Sequence, residues 1–418
     1  MFKYELFNRD TYISQLSKLK DNGKVKVITG ARHVGKTILI NQYISYLSRH
    51  KVSKDNIIHI DLDDIRFINI KDHNSLYNYL SNTINHEERT YLFIDEINKV
   101  SNFENAINQS LKDFNIDLVL SVSNNYIFAK KINASIDIVN LYPFSFKEYI
   151  KYTKELLISD DESNVDLNII ELFQKYIVSG GIPNPYSKVS NNSLSDLESV
   201  YALIAIKDII KTNSSLDFNN LDLIFTYLCS HVSEPLSYHN IAVEASNYLK
   251  DLKRDNKLNI AVKTVNKYIE IMENAYLIYP VKRIDLRTGK ELKTIGKNYV
   301  FDTGLRNSIV GYKNSDKLFL IENIVYLELL RRGYEVFIGK VYDYEINFIA
   351  ELNNEKFYIQ VTESIIAEDS REKALKPFTF LKEKQQNKVV ITMDYNVITS
   401  FDGIKLYNII DWLISDSM

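Results

Sequence analysis

A short glycine-containing loop near the N-terminus constrains the fold of this chain more than any other feature of its sequence. Residues 30–37 read GARHVGKT and match the pattern G-x-x-x-x-G-K-[ST]. The loop follows an apolar segment that reads as a buried strand, and it precedes a predicted helix at residues 36–47. In such a loop the backbone N–H groups turn inward around an anion, and the N-terminus of the helix adds positive charge. The order of strand, loop and helix therefore predicts a phosphate-binding loop in an α/β sheet.

The loop consists of Gly30, Ala31, Arg32, His33, Val34, Gly35, Lys36 and Thr37. We expect all eight residues to surround the phosphates of ATP. The Lys36 ammonium is expected at the β- and γ-phosphates, and the Thr37 hydroxyl is expected to bind Mg²⁺. Only 12 glycines occur in 418 residues, so Gly30 and Gly35 are expected to hold backbone conformations that require glycine.

A second motif carries acidic residues at the end of an apolar strand. Residues 91–94 read YLFI and are followed directly by Asp95 and Glu96. In a parallel sheet these carboxylates lie at the edge where the phosphate-binding loop is also found. We expect Asp95 to hold the hydration shell of Mg²⁺ and Glu96 to polarise the attacking water. The two motifs together predict an ATPase.

The remaining periodicity predicts the architecture of the chain. Strands at 24–29, 56–62, 90–94, 117–121 and 136–141 alternate with helices, which favours a parallel sheet with helices on both faces. From residue 145 the apolar spacing becomes helical, and strands at 334–338, 345–350 and 356–362 predict a second α/β unit. We predict an ATPase domain at 1–150, a helical region at 151–220, a winged-helix-like domain at 221–297 and an α/β domain at 298–418.

Composition excludes several other classes of protein. Apolar residues make up 45% and charged residues 25% of the chain, as in globular proteins. No apolar run approaches the ~18 residues of a membrane helix, and the N-terminal segment has no apolar signal core. The single cysteine, Cys229, argues against disulfides and a cysteine metal site. We therefore expect a cytoplasmic protein without membrane contact.

Further motifs run almost from end to end. They are Arg9, GARHVGKT, LFIDEI, SVSNN at 121–125, YPFSFKEYI at 142–150, GGIP at 180–183, YVFDTGLRN at 299–307 and ENIVYLELLRRGYEV at 322–336. With these motifs the chain resembles prokaryotic AAA-type ATPases that join a P-loop domain to a characteristic C-terminal domain. The resemblance implies a winged-helix unit after the ATPase domain and a restriction-endonuclease-like fold at the C-terminus. It also implies that Asn124 senses the γ-phosphate.

The chain departs from this family at three places in its ATPase domain. His33 stands where a second arginine is usual, and residues 121–124 read SVSN where the family commonly has threonine, glycine, serine and asparagine. Ala134 and Ser135 replace a glycine–arginine pair. If the missing arginine contacts nucleotide in the family, binding could survive here while turnover is impaired.

The net charge of −3 conceals one basic segment. Residues 250–297 contain twelve Lys and Arg against six Asp and Glu. Segments at 238–245 and 262–275 suggest a helix-turn-helix, with a wing around 283–292. Its candidate contacts to DNA phosphates are Lys253, Arg254, Lys257, Lys263 and Lys267. The alternative, in which this unit packs on its own protein and the lysines are solvated, remains open.

At the C-terminus the endonuclease resemblance is incomplete. Such nucleases need a helix glutamate, a strand aspartate and an E-x-K motif around Mg²⁺. The matching residues here are Glu322, Asn347, Gln360 and Thr362, so two acids and the lysine are missing. Asp343 and Glu345 lie nearby without matching the family positions. We interpret this domain as a degenerate nuclease fold that binds or scaffolds.

Three hypotheses follow for the whole chain. The first is an ATPase whose nucleotide state is coupled to binding of nucleic acid or a protein partner. The second is a nucleotide-binding interaction module with little turnover, which Ala134 and Ser135 favour. The third, an ATP-dependent nuclease, is disfavoured by Asn347 and Gln360.

Overall fold

The computed structural model describes residues 7–85, 87–124, 132–159, 168–183, 194–213, 215–253, 259–381, 387–395 and 400–416. The chain divides into two compact units. The first unit comprises Met1–Tyr142 and Asn274–Tyr276, and the second comprises Pro143–Glu273 and Leu277–Met418.

A five-stranded sheet forms the centre of the first unit. Its strands are β1 (Val25–Thr29), β2 (Ile57–Asp61), β3 (Thr90–Asp95), β4 (Ile116–Val122) and β5 (Ile136–Asn140). They lie in the order β2-β3-β4-β1-β5 and all pair in parallel. Strands β1, β3 and β4 are buried along their whole length, as expected for a sheet covered on both faces. The predicted fold class of this unit is confirmed.

Helices connect and cover these strands. They are α1 (Asp10–Lys18), α2 (Lys36–Arg49), α3 (His73–Thr83) and α4 (Phe103–Asp113). Helix α3 begins with a capping box, in which the Asp72 carboxylate accepts from the Ser75 N–H and the Ser75 hydroxyl accepts from the Asp72 N–H. Ile107 of α4 and Leu80 of α3 are fully buried. They share one core with side chains of β3 and β4, such as Leu92 and Leu118. Two of the helices thus bury an apolar side against the sheet.

Among the described residues, the second unit contains a series of helices, six of which precede its first strand. They are α5 (Phe146–Ser159), α6 (Ile169–Ser179), α7 (Leu194–Leu203), α8 (Phe218–Ser230), α9 (Tyr238–Lys253), α10 (Val262–Asn274), α11 (Thr303–Val310), α12 (Lys317–Arg331), α13 (Glu368–Leu375) and α14 (Ile409–Ile414). A π-helix at Ile204–Ile210 continues α7. The helices α9 and α10 occupy the positions predicted for the helix-turn-helix.

An eight-stranded mixed sheet completes the second unit. Its strands are β6 (Ile278–Asp285), β7 (Lys290–Val300), β8 (Glu335–Val341), β9 (Tyr344–Leu352), β10 (Glu355–Thr362), β11 (Lys388–Thr392), β12 (Ser400–Phe401) and β13 (Ile404–Asn408). Their order is β12-β13-β11-β10-β9-β8-β6-β7. Phe173 of α6, Val325 of α12 and Phe348 of β9 share one buried core. The three C-terminal strands expected from sequence, β8, β9 and β10, are confirmed.

The hairpin predicted as a wing belongs to this sheet. Strands β6 and β7 pair antiparallel, but β6 also pairs in parallel with β8, where Arg283 lies opposite Ile338. Strand β7 runs through residue 297, the predicted boundary between the last two domains. The division into four domains and the winged-helix assignment stay predictions.

Two motifs of the second unit lie against each other. The Asp302 carboxylate accepts from the N–H groups of Gly181 (2.7 Å) and Ile182 (3.2 Å), and it caps α11 through the Leu305 N–H. A Cβ atom at Gly180 would lie 2.1 Å from the Asp302 carboxylate. Burial raises the pKa of Asp302 to about 6, against the opposing effect of these backbone hydrogen bonds. GGIP and FDTG therefore form one structural contact.

Gly304 of the same contact gives a stability prediction. A Cβ at this position would lie 2.0 Å from the carbonyl oxygen of Ser179, although helix propensity alone favours alanine. We expect Gly304→Ala to lower the free energy of unfolding by about 2–3 kcal/mol. Gly289→Ala is the matched control, because its Cβ has open space and only a φ of +71° to oppose it, at a cost of about 1 kcal/mol. Chemical denaturation with hydrogen exchange in α6 and α11 measures both. An unchanged or more stable Gly304→Ala variant contradicts this packing.

Across the residues described above, no helix has the length and apolar character needed to span a membrane.

Candidate functional site

The phosphate-binding loop lies between β1 and α2, as predicted. Gly30 has a φ of +154°, and a Cβ there would lie 2.2 Å from the Leu141 carbonyl oxygen, so only glycine fits. Gly35 precedes α2 with a φ of +98°, and a Cβ there would point into open space. His33 also adopts a left-handed conformation, with a φ of 67°. Two glycines and the turn at His33 thus shape a concave backbone at the N-terminus of α2.

The Lys36 ammonium is buried at the centre of this loop. It donates to the carbonyl oxygens of Gly30 and Ala31, each at 3.1 Å. It also donates to the Ser123 hydroxyl at 2.8 Å and lies 3.5 Å from Oε1 of Glu96. The lysine of the first motif and the glutamate of the second are therefore direct neighbours.

The two carboxylates stand at the end of β3, beside the end of β4. The Ser121 hydroxyl donates to Oδ1 of Asp95 and accepts from the Glu96 N–H at 3.1 Å. The Ser123 hydroxyl donates to Oε1 of Glu96 at 2.6 Å. Glu96 has a left-handed backbone, with φ 53° and ψ 45°, a conformation that costs energy for a residue with a Cβ. Two serines of β4 and its extension thus fix both carboxylates.

Each carboxylate keeps one oxygen for another ligand. Among the residues that the structure describes, Oδ2 of Asp95 and Oε2 of Glu96 are buried and have no hydrogen-bond partner. Burial raises the pKa of Asp95, while hydrogen bonds from Ser121 and Thr37 act in the opposite direction. Buried, unsatisfied carboxylate oxygens beside a threonine hydroxyl form the oxygen-donor set that Mg²⁺ prefers. The residues present therefore fit a bound Mg²⁺.

Arg32 brings a second cation to the same place. Its guanidinium lies 3.9 Å from Oε2 of Glu96 and 3.9 Å from Oδ2 of Asp63. Its side chain is mostly buried. Lys36 and Arg32 thus face the two different oxygens of one carboxylate.

Arg9 holds the loop in place by hydrogen bonds from its side chain and backbone. Its Nη1 donates to the carbonyl oxygens of Val34 (3.2 Å) and Tyr142 (2.9 Å), and only 3% of the residue is exposed. Its backbone N–H donates to Gln42 of α2 at 3.2 Å. This arginine therefore ties the loop, the helix that follows it and the segment after β5 together.

Of the other predicted residues of the first unit, Asn124 lies at this edge, whereas Ala134 and Ser135 lie at the opposite edge of the sheet, where the Ser135 carbonyl oxygen accepts from the Val25 N–H. Asn124 follows Ser123 directly after β4 and is partly exposed. Ala134 and Ser135 precede β5, where Ala134 packs at the margin of the apolar core. Sequence reasoning placed the sensing role on Asn124, whereas Ser123 makes the contacts to Lys36 and Glu96. The hint that the sequence offered for Ser123 is its place as the second serine of SVSN, near the end of a predicted strand.

The proposed DNA contacts divide between described and undescribed residues. Lys263 and Lys267 lie on α10 and are exposed, and Lys267 Nζ donates to the Ser215 hydroxyl at 3.1 Å. Lys253 is the last residue of α9, while Arg254 and Lys257 fall outside the described residues.

Three of the four residues taken from the endonuclease resemblance converge, whereas the Thr362 hydroxyl donates to the Ser364 carbonyl oxygen at 3.4 Å. Asn347 Nδ2 donates to Glu322 at 2.7 Å, and Gln360 Oε1 accepts from the Asn347 N–H at 2.8 Å. Glu345 lies in the same cluster, joined to Glu322 through Lys297, which sequence reasoning did not select. Asp343 is exposed in the turn before β9.

The sheet order, the loop before α2 and the acidic end of β3 define the first unit as a P-loop NTPase fold. Residues 22–150 match the family model of an AAA domain, which supports nucleotide binding by an AAA-type P-loop ATPase. Residues 170–316 match a domain of unknown function, DUF8612. This second match spans both the GGIP and the FDTG motifs.

Relatives extend the similarity over nearly the whole chain. An uncharacterized protein of Haemophilus influenzae is 29% identical over 98% of this chain and 99% of its own length. Protein MJ1544 of Methanocaldococcus jannaschii, also uncharacterized, is 28% identical over 90% of this chain and 81% of its own. A Walker-type ATPase of Pyrococcus abyssi has a similar fold, with a TM-score of 0.50 and 12% identity over 73% of this chain and 96% of that one.

Proposed function

We propose that the chain is a Mg²⁺-dependent ATPase whose nucleotide state controls binding of a macromolecule by its second unit. One observation carries the ATPase part of this proposal: a buried ammonium, Lys36, lies 3.5 Å from a carboxylate, Glu96, at the mouth of a glycine-shaped loop. A cation able to bind phosphate and a carboxylate able to orient water are therefore direct neighbours.

Each residue has a distinct role in the proposal. Residues 30–37 hold the phosphates through backbone N–H groups, and Lys36 compensates their charge. Thr37 and Asp95 would hold Mg²⁺, which would neutralise charge that develops on the phosphates. Glu96 would orient the attacking water, and Asn124 would contact the γ-phosphate.

The arrangement around Glu96 supports this assignment. Ser123 holds one of its oxygens at 2.6 Å, which leaves the buried Oε2 to accept from a water. Arg32 at 3.9 Å from Oε2 adds positive charge where a transferred phosphoryl group gains negative charge. Arg32 belongs to the loop itself, so it supplies this charge from within the chain.

The second candidate is a nucleotide-binding module that hardly turns over. Ala134 and Ser135, at the positions of the glycine–arginine pair, favour it. Steady phosphate release from purified protein separates the two candidates, since a non-hydrolysing module binds ATP and releases none.

For the second unit we propose that DNA is the macromolecule and that α10 contacts its phosphates. Lys263 and Lys267 are exposed and stand four residues apart, so they share one face of that helix. Lys297 and Arg283 pair with Glu322 and Glu345 inside the fold. Without these two, residues 250–297 still hold ten Lys and Arg against six Asp and Glu, which supports the same surface. A protein partner bound at this surface is the alternative.

Replacing both lysines by alanine tests this surface. Each lost phosphate contact lowers the slope of log affinity against log salt by about one unit, so the double variant should lose about two and weaken binding to all sequences alike. Duplex DNA titrated at several salt concentrations, with anisotropy as the readout, measures this slope. Lys151→Ala with Lys154→Ala, an exposed pair on α5, removes equal charge and should leave the slope unchanged. No DNA binding by the wild type at low salt contradicts the proposal and leaves the protein partner.

A further inference from the structure

A buried ionic cluster joins strands β7 and β9 to helix α12 in the second unit. Lys297 of β7 lies between Glu322 of α12 and Glu345 of β9, with 2.7 Å from its Nζ to Oε1 of each. The endonuclease resemblance places a divalent cation among the residues of this same cluster. Here two carboxylates from different elements converge on an ammonium.

The remaining carboxylate oxygens also face donors of the protein. Oε1 of Glu322 accepts from the Tyr299 hydroxyl at 2.6 Å, and its Oε2 accepts from Asn347 Nδ2 at 2.7 Å. Oε2 of Glu345 accepts from the Arg283 guanidinium. All four carboxylate oxygens are therefore engaged, and two formal positive charges balance two negative ones.

The charge state of Lys297 agrees with this geometry. Burial by itself lowers the pKa of Lys297, but the charges of Glu322 and Glu345 outweigh it and raise the pKa above its ordinary value. Burial likewise acts to raise the pKa of Glu345, yet Lys297 and Arg283 hold it below its ordinary value. The ammonium and the carboxylate are thus both charged at neutral pH.

Solvent reaches the edge of this cluster. A cleft of about 410 Å³ is lined by Pro280, Arg283, Gly296 and Lys297, among others. A metal ion from solution could reach the cluster through this cleft, so lack of solvent access is not what keeps the cluster free of metal. The cleft presents three cations, Lys282, Arg283 and Lys297, against the single carboxylate of Glu291, which pairs with Lys282. The carboxylates of Glu322 and Glu345 behind it are already neutralised.

We propose that the Lys297 ammonium stands in the place of a divalent cation and makes this centre metal-free. The ammonium supplies the positive charge that holds Glu322 and Glu345 together, and no Mg²⁺ or Mn²⁺ binds while it is present. The carboxamides of Asn347 and Gln360 fit this role, because they join the network by hydrogen bonds without adding charge. The protein therefore has no metal-dependent nuclease activity.

A gain of metal binding tests the proposal. Lys297→Met keeps an unbranched apolar chain and removes the charge, which leaves the carboxylates of Glu322 and Glu345 around the vacated position. Mn²⁺ titrated without nucleotide, with the electron paramagnetic resonance signal of free Mn²⁺ as readout, should show affinity on the order of tenfold or more above that of the wild type. Lys297→Met with Glu322→Gln should lose this gain. Lys282→Met, an exposed lysine of the same cleft, should bind no more Mn²⁺ than the wild type.

A second measurement needs only the natural cluster. The unfolding midpoint should not respond to Mn²⁺ through this cluster, so any difference between EDTA and Mn²⁺ should be the same in the wild type and in Glu322→Gln. A midpoint that rises with Mn²⁺, and no longer rises in Glu322→Gln, shows a natural metal site and overturns the proposal. So does a folded Lys297→Met variant that gains no Mn²⁺ affinity, or DNA cleavage that depends on both Mn²⁺ and Glu322. If Lys297→Met does not fold, an equal response of the midpoint to Mn²⁺ in the wild type and in Glu322→Gln supports the proposal by itself.

Discussion

Replacing Lys36 by alanine should abolish binding of Mg-ATP at micromolar nucleotide. The Lys36 ammonium is buried in the loop, and the backbone N–H groups alone leave the phosphate charge uncompensated. Loss of one partner of a buried charge contact weakens binding by a factor on the order of 100 or more. Fluorescence titration with a labelled ATP analogue measures the affinity.

The control for this variant is another lysine of the same unit. Lys24 lies just before β1, at the opposite end of that strand from the loop, and pairs with Asp137 at 2.9 Å on the surface. Lys24→Ala removes the same charge and should bind ATP as the wild type does. Unchanged affinity in Lys36→Ala contradicts the assignment of the loop.

Glu96→Gln should bind ATP and fail to hydrolyse it. Glutamine keeps the shape of the side chain and can still accept from Ser123, but it cannot orient and polarise water as a carboxylate does. The rate should fall on the order of 100-fold or more. Analysis of the nucleotide that co-purifies with the variant should show ATP, where the wild type retains ADP or none.

Asp95→Asn should give a different result from its neighbour. Asp95 faces Thr37 and the proposed metal, so its loss should raise the Mg²⁺ concentration needed for nucleotide binding. Hydrolysis at the wild-type rate in Glu96→Gln means that another residue positions the water. Equal Mg²⁺ dependence in both variants contradicts the division of roles.

Local patterns were sufficient to predict the first unit. The run YLFI before Asp95 is continuously apolar and the segment that ends at Thr29 is interrupted only by Lys26, so both indicate strands buried on both faces. The loop motif fixes the order of strand and helix. The parallel pairing then places the ends of β1, β3 and β4 at one edge. Asp95 and Glu96 therefore lie close to Lys36, because the two carboxylates stand at the end of β3 and Lys36 belongs to the loop after β1 at the same edge.

Contacts distant in sequence could not be predicted in the same way. Strand β6 pairs with β8 across an intervening hairpin strand and two helices, and nothing in the local pattern of residues 278–285 specifies that partner. Lys297 was counted only as part of a basic segment, although its charge is satisfied internally by Glu322 and Glu345. A local charge count cannot separate a lysine that faces solvent from one that forms a buried ion pair.

The serines of β4 show a third kind of limit. Ser121 is the last residue but one of β4 and Ser123 directly follows the strand, and both read as ordinary polar residues at its end. Their hydroxyls contact Asp95 and Glu96 because β4 lies next to β3, with Leu120 opposite Ile94. Knowledge of the strand order was needed to see these contacts.

Phosphate release by the purified full chain tests the central claim most directly. With Mg-ATP, the wild type should release phosphate continuously, and the rate should fall to background in Lys36→Ala, in Glu96→Gln and in EDTA. Parallel reactions with duplex DNA show whether the second unit changes this rate. Release by the wild type that is no faster than release by Glu96→Gln, while both bind ATP, contradicts the ATPase and establishes a nucleotide-binding module.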